Sequence, residues 1–366
     1  MFTKFFYFFK KSDWVLYIVT ILLVAFGLAV LYSILINQES PDLARFGRQV
    51  IFVAVGLVLM LIFSFVDYRF FNSYRTVLYI TGIILLLLVL VLGQNIRGST
   101  RWFGFFGQTF QPVELVKLFL VFWLAGYLAK YGRQFFHFKH IVISGSMIIV
   151  PAVLVALEPK MGYAIMFILF WIIMLFLLKV RLWHLVVILL LIAVIGSIAW
   201  LFILEDYQKD RILTFIDPAR DPLGRGYNVK QSIIAVGSGQ IMGRGLGLGP
   251  QSQLNFLPEQ ETDFIFAVIA EEMGMIGSLL IISFYIILLY RIYLITKQIR
   301  ENFGLFLVLI ILILFSLQII INIGMNIGLL PVTGIPLPFL SAGGSSLLVS
   351  LISIGILQSI TARGKA

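Results

Sequence analysis

The sequence predicts an all-α polytopic membrane protein of about ten transmembrane helices, with both termini cytoplasmic and one large extracellular loop. Three observations predict it. Of 366 residues, 61% are hydrophobic and only 12% are charged, whereas a soluble domain carries roughly 25% charged residues. Apolar runs of about 20 residues, enough to cross a bilayer, recur along the chain. The basic residues gather in alternate short loops, a pattern that reports orientation.

The runs lie at about 15–36, 49–66, 76–93, 113–130, 141–157, 161–179, 183–204, 264–290, 304–330 and 342–361. The first is too long for the apolar part of a signal peptide and lacks a small-residue cleavage site, so it reads as a span. Glu114 and Lys117 interrupt the fourth. Only Glu158-Pro159-Lys160 separates the fifth from the sixth. The N-terminus and the short segments on its side hold 15 Lys and Arg, and the short loops opposite hold five. The long loop 205–262 is set aside, because long segments cross regardless of charge. Both termini are therefore expected in the cytoplasm, and the 94–112, 205–262 and 331–341 loops outside. No fixed-period repeat or linker stands out, so residues 1–366 are expected to form a single membrane domain.

The net charge of +10 reports this topology and not a nucleic-acid partner; the expected surroundings are the lipid bilayer. There are no cysteines, which excludes disulfide and thiolate chemistry. His137, His140 and His184 lie in or beside two separate short loops and form no HExxH-type pair, so no zinc site is expected.

The unusual residues fall on the outer side. Gln111-Pro112 reads as a helix start, since Pro is tolerated in the first turn. Glu114 and Lys117 then share one helix face at i and i+3. Ionisable residues within a span are costly and are a functional hypothesis by default; mutual neutralisation that glues helices is the plainer reading, and the two are compatible. The 205–262 loop is too long for a passive connector, and its Ile, Val and Phe content argues against disorder. Its "GRGLGLG" lacks the strand–helix context and terminal Lys-Ser/Thr of a phosphate loop, so tight turns along the membrane surface are expected.

The stretch "LPEQETDFIFAVIAEEMG", residues 257–274, holds five carboxylates. Asp263 stands where loop becomes helix, with Thr262 as the expected N-cap. The helix dipole favours its ionised form, while apolar surroundings, Glu259 and Glu261 push the other way. A carboxylate held at the outer face is positioned for base catalysis on a lipid-linked substrate; a simple helix-capping role is the alternative. Glu271 and Glu272 lie about 12–14 Å further along the helix axis and are expected to face a polar interior. Gln318, Asn322 and Asn326 recur every four residues and are expected to hydrogen-bond between helices. Three prolines and Gly343-Gly344 in "GLLPVTGIPLPFLSAGGSS" forbid regular helix. Such backbone is tolerated in a membrane only where it lines a cavity or is buried in protein, so a cavity open to the outer leaflet is expected.

The segments "RWFGFFGQTFQPVELVKL", "QSQLNFLPEQETDFIFAVIAEEMG" and "GLLPVTGIPLPFLSAGGSS" resemble the SEDS family (shape, elongation, division and sporulation), the RodA and FtsW peptidoglycan polymerases and their sporulation relatives. The ten spans, inward termini and large outer loop resemble it too, over nearly the whole chain. "QSQLNFLPE" and "PVTGIPLPF" are closest to the RodA branch. The resemblance implies a peptidoglycan glycosyltransferase of the bacterial cytoplasmic membrane, acting in cell elongation and shape. It would polymerise lipid II, an undecaprenyl-pyrophosphate-linked disaccharide peptide, with a class B penicillin-binding protein transpeptidase as partner. The family's catalytic aspartate falls on Asp263, its intramembrane pair on Glu114 and Lys117, and its loop arginine on Arg101. Glu259, Ser341, Gly343 and Gly344 join them as candidate substrate-binding residues. Two departures stand out: Lys160 where the family commonly has an acid, which puts cation binding by that short loop in doubt, and Ala342 where it commonly has an aromatic.

The chemistry implied is attack of the acceptor sugar's 4-hydroxyl on the donor's anomeric carbon, with undecaprenyl pyrophosphate leaving. Asp263 is the expected base, and Arg101, Lys117 or a divalent cation (Mg or Mn) the expected source of positive charge. A lipid II flippase or transporter, a division-type polymerase, and a silent scaffold for a transpeptidase are the alternatives. A transporter is expected to carry broken helices in repeated halves.

Overall fold

The computed structural model describes residues 11–36, 42–96, 99–105, 108–135, 137–158, 160–202, 206–217, 225–254 and 256–364. Its membrane helices are α1 (Trp14–Ile36), α2 (Leu43–Phe65), α3 (Arg69–Leu92), α4 (Pro112–Tyr131), α5 (Phe138–Leu157), α6 (Met161–Leu177) and α7 (Leu182–Phe202), followed after the large loop by α11 (Ile265–Thr296), α12 (Asn302–Asn326) and α13 (Gly344–Gly364). Among the described residues, nine of these are long and apolar enough to span a membrane, and α6, at 17 residues, is shorter. Each expected span falls on one of these ten helices.

The helices start and stop for local reasons. Pro112 opens α4, where its missing N–H costs nothing. The side chain of Asp42 caps α2 by accepting from the Arg45 amide at 3.1 Å. At the end of the bundle expected in the cytoplasm, Asp13 accepts from the Arg291 guanidinium at 2.6 and 2.9 Å. Gln358 exchanges two 2.8 Å bonds with the Asp13 backbone. The start of α1 is thereby tied to α11 and α13. Glu301, just before α12, accepts from Tyr68 at 2.5 Å and Arg69 at 3.0 Å. Burial and the Glu301 carboxylate push the Tyr68 hydroxyl up to about 12.

Two outer segments depart from the expectation. The 94–112 loop folds into an antiparallel sheet of β1 (Gln94–Ile96), β2 (Ser99–Phe105) and β3 (Gln108–Phe110), in that order. The large loop carries helices α8 (Asp206–Ile216), α9 (Arg225–Ser238) and the short α10 (Pro250–Gln253). Its Val229, Ala235 and Leu257 are buried, and Ser232 donates to the Asn326 carbonyl at 2.8 Å. Part of the loop's apolar content thus packs against the bundle, while Ile241, Met242, Leu246, Leu248 and Leu254 stay exposed.

The largest correction concerns α11, which breaks at Gly274 (φ 64°, ψ −158°). An unbroken helix would pair the amides of Met275 and Ile276 with the carbonyls of Glu271 and Glu272. Here Arg244 and Gly245 donate to those two carbonyls, each at 2.9 Å. Met275 and Ile276 donate instead to Gln240 and Ile241, at 2.8 and 3.2 Å. The glycine-rich segment therefore answers the four backbone groups that the break releases, as burial in an apolar medium requires. The tight turns expected there are present, at 239–242 and 246–247, and they plug a broken helix. A side chain on Gly274 would collide with the amide nitrogen of Gly243, itself at φ +81°.

Candidate active site

Asp263 lines a cavity of about 450 Å³ on the expected outer side of the bundle. The wall also includes Trp102, Gln111, Glu114, Lys160, Glu259, Gly334, Ala342, Gly343 and Gly344. A cavity of this size suits a ligand of several hundred daltons. Four helices begin against it. Gln111 precedes α4, Lys160 precedes α6, Asp263 lies just before α11, and Gly344 opens α13.

The Asp263 backbone is held from two sides. The side-chain amides of Asn322 and Asn326 donate to its carbonyl at 3.1 and 3.0 Å. Its amide donates to the Glu259 carbonyl at 3.1 Å, in a turn whose Thr262 and Phe264 amides converge on the same oxygen. Glu259 adopts φ +53° there, a conformation that costs a non-glycine residue about 1–3 kcal/mol. Thr262 is not the helix cap: its hydroxyl turns back to Glu259 at 3.3 Å, and the N-cap is Phe264. Asn322 also donates to the Ile335 carbonyl at 2.9 Å, which fixes the 331–341 loop to the same support.

The two acids that flank Asp263 in sequence separate. Glu259 lines the cavity. Glu261 reaches Arg45 at 3.3 Å, and its carbonyl accepts from Ala342 at 2.8 Å, so it ties the loop to the start of α2. Glu271 and Glu272 are both buried, as expected, with Glu271 serving the loop and Glu272 a neighbouring helix. Glu271 accepts from the amides of Gln251 and Ser252 at 2.8 and 3.0 Å, capping α10. Glu272 accepts from Ser33 of α1 at 2.7 Å.

Glu114 and Lys117 pair at 2.6 Å and are 1% and 4% exposed. Glu114 also accepts from the Tyr163 hydroxyl. Glu114 reaches the cavity; Lys117 lines instead a small separate void with Gln318 and Ser350. Ser341 stands behind the wall, where it donates to the Thr262 carbonyl at 2.6 Å and accepts from the Leu337 amide at 2.8 Å. The Arg101 side chain lies outside the described residues. Sequence reasoning passed over Gln111, Trp102, Tyr163 and Gly334. Of these, Tyr163 carried a legible signal, one helical turn after Lys160.

Among the described residues, no three His, Asp or Glu side chains lie close enough to hold a metal ion. Asp263 and Glu259 nevertheless both line the cavity. A magnesium ion is commonly held by one or two carboxylates plus substrate phosphates, so this pair fits a cation that shares its ligands with a pyrophosphate.

The sequence model of the FtsW/RodA/SpoVE family, described as Cell cycle protein, matches residues 13–366. The chain belongs to this family. It is 37% identical to the peptidoglycan glycosyltransferase MrdB of Escherichia coli K12, over 93% of this chain and 92% of that protein. It is 35% identical to the stage V sporulation protein E of Bacillus subtilis 168, over 96% and 98%. Its fold matches the rod shape determining protein RodA of Thermus thermophilus with a TM-score of 0.71 at 25% identity, covering 96% of each chain. A chain from the structure "Structural coordination of polymerization and crosslinking by a peptidoglycan synthase complex" matches with a TM-score of 0.81 at 29% identity, covering 96% of this chain and 98% of that one. This member of the family is thus a multi-pass helical membrane protein along its matched length.

Proposed function

We propose that this chain is a peptidoglycan glycosyltransferase that polymerises lipid II at the outer face of the bacterial cytoplasmic membrane. The observation that carries the reading is Asp263 in the wall of the cavity, at the start of α11, with its backbone clamped by two asparagines. The family relationship and a relative named for this activity support it.

In this reading the acceptor sugar's 4-hydroxyl enters the cavity beside Asp263. The carboxylate takes its proton as the oxygen bonds to the donor's anomeric carbon. The bond from that carbon to the pyrophosphate oxygen breaks, and undecaprenyl pyrophosphate leaves. A positioned base contributes about 10²–10⁴-fold. A divalent cation, when bound, would be held by Asp263 and Glu259 with the pyrophosphate, and would neutralise charge on the leaving group. The buried Glu114–Lys117–Tyr163 cluster holds α4 and α6 together under the cavity floor. We assign the chain to cell elongation, on the RodA-like motifs, with a class B penicillin-binding protein transpeptidase as partner.

Purified protein incubated with lipid II in detergent tests the activity: glycan strands resolved on a gel support it. Lipid II moved across vesicles without strand formation would make the chain a transporter. The helix break at Gly274 is the one feature that favours transport. Among the described residues of the first six spans, no positive-φ residue repeats it, and the loop fills it.

A further inference from the structure

We propose that one water molecule binds inside the bundle between α4, α12 and α13, held by Lys117, Gln318 and Ser350. The site lies apart from the cavity that Asp263 lines.

The three side chains meet around a void of about 10 Å³. One water needs about this much room, on the order of 10–15 Å³. Apart from them and Ser353, the lining is apolar. A wholly apolar void stays dry, whereas a polar one of this size takes a water. Gln318 is completely buried, and among the described residues neither the nitrogen nor the oxygen of its carboxamide has a hydrogen-bond partner. Ser350 is 1% exposed, and its hydroxyl is unpartnered in the same sense. The Lys117 ammonium has three N–H donors, of which Glu114 takes one at 2.6 Å.

The neighbours of these residues show the contrast. Ser353, three residues after Ser350 on α13, donates to the Val349 carbonyl at 2.8 Å. Asn322 and Asn326, which continue the polar stripe of Gln318 on α12, bond directly to the Asp263 carbonyl. Gln318 and Ser350 make no such bond and line the void instead. Buried polar atoms without partners are rare in folded proteins, and within a bilayer no bulk water can stand in for a partner. The contact between helices expected of Gln318 is thus made through a water.

The set of partners suits a water and not an ion. The ammonium only donates, while the carboxamide and the hydroxyl can each donate or accept. A water there makes one bond to each of the three, the usual number for a buried water. The Glu114 carboxylate on the same lysine opposes an anion, and the ammonium opposes a metal cation. The water would fix the lysine that neutralises Glu114 to two further helices.

A crystal structure of the full-length protein grown from a lipid phase, at a resolution that shows ordered water, is the direct test. One peak should lie about 2.7–3.2 Å from Lys117 Nζ, from the Gln318 carboxamide and from Ser350 Oγ. Gln318→Met keeps the length of the side chain and removes both polar atoms; combined with Ser350→Ala it should abolish the peak. Each single variant should lower the melting temperature. The double variant should lower it by clearly less than the sum, since both side chains serve one water. Absence of the peak in the wild type, with Gln318 and Ser350 bonded directly to protein groups, overturns the proposal. So does a peak that bromide replaces in anomalous scattering, which would make the ligand an anion. Additive losses in the double variant overturn it as well.

Discussion

The side-chain amide of Asn326 donates to the carbonyl of Asp263 at 3.0 Å, and its oxygen accepts from the amide of Ala267 at 3.0 Å. One side chain of α12 thus spans the first turn of α11. Asn322, one turn earlier, repeats the contact and adds the 331–341 loop. The asparagines are buried completely, so their bonds face little competition from water. Asn326→Leu removes one of two partners from each of these backbone groups, since Asn322 still reaches the Asp263 carbonyl and Ala267 still donates to Phe264, and should cost about 0.5–1.5 kcal/mol. Displacement of Asp263 by about 1 Å should lower polymerisation by roughly 10²-fold. Thermal melts and strand synthesis measured together check this; wild-type rates with lowered stability would show that the clamp is structural only.

The Glu114–Lys117 pair allows a second prediction. Lys117→Ala leaves a buried carboxylate without its cation and should destabilise by about 3–5 kcal/mol. The double change Glu114→Gln with Lys117→Met should recover stability more than activity, since Glu114 also meets Tyr163 and the cavity. Urea or thermal unfolding of the single and double variants separates these outcomes. A double variant that recovers neither quantity would mean the pair does more than neutralise itself.

Much of this arrangement was legible in the sequence, because membrane spans and i,i+3 pairs are local patterns. Apolar length placed the ten helices, and the spacing of Glu114 and Lys117 placed their contact. Asp263 was marked by its position between an acidic loop and an apolar run. What was hidden is non-local. A single Gly274 inside a helix looks like a tolerated glycine until residues 240–245 arrive to pair with the break. The sheet at 94–110 has strands of three to seven residues, too short for a clear alternation. Lys160 reads as a loop charge and a departure from the family's usual acid; its place in the cavity wall depends on how the start of α6 packs on the 331–341 loop. Ser341 is a candidate substrate-binding residue by resemblance, and its bonds to Thr262 and Leu337 depend on a loop fold that proline and glycine spacing does not specify.

The plug in α11 yields a third prediction. Gly274→Ala places a methyl group against the Gly243 amide and forces alanine to φ +64°. The positive φ alone costs about 1–3 kcal/mol. The 240–245 segment should detach, and its amides should lose protection in hydrogen exchange while those of α12 keep theirs. Unchanged protection at Arg244 and Gly245 would contradict the plug.

Orientation is the fourth. The chain has no cysteine, so single cysteines can be introduced on a clean background. Ser252 in the large loop is buried, which makes the exposed Lys230 the better site there. Lys230→Cys should react with a membrane-impermeant maleimide in intact cells. Ser73→Cys, near the start of α3, should react only after permeabilisation. Five spans, α3 to α7, separate the two positions. The reverse labelling would put Asp263 on the wrong side for an extracytoplasmic sugar.

The central claim is that the Asp263 carboxylate takes the acceptor's proton. Asp263→Asn keeps the shape of the side chain and the backbone clamp while removing the base. The direct measurement is the initial rate of glycan strand formation from lipid II by the purified variant, beside its melting temperature. The account predicts a rate at or below about 1% of wild type, the lower end of what a positioned base supplies, with a melting temperature close to the wild type's. Strand formation at half the wild-type rate or better by a folded Asp263→Asn variant would contradict it.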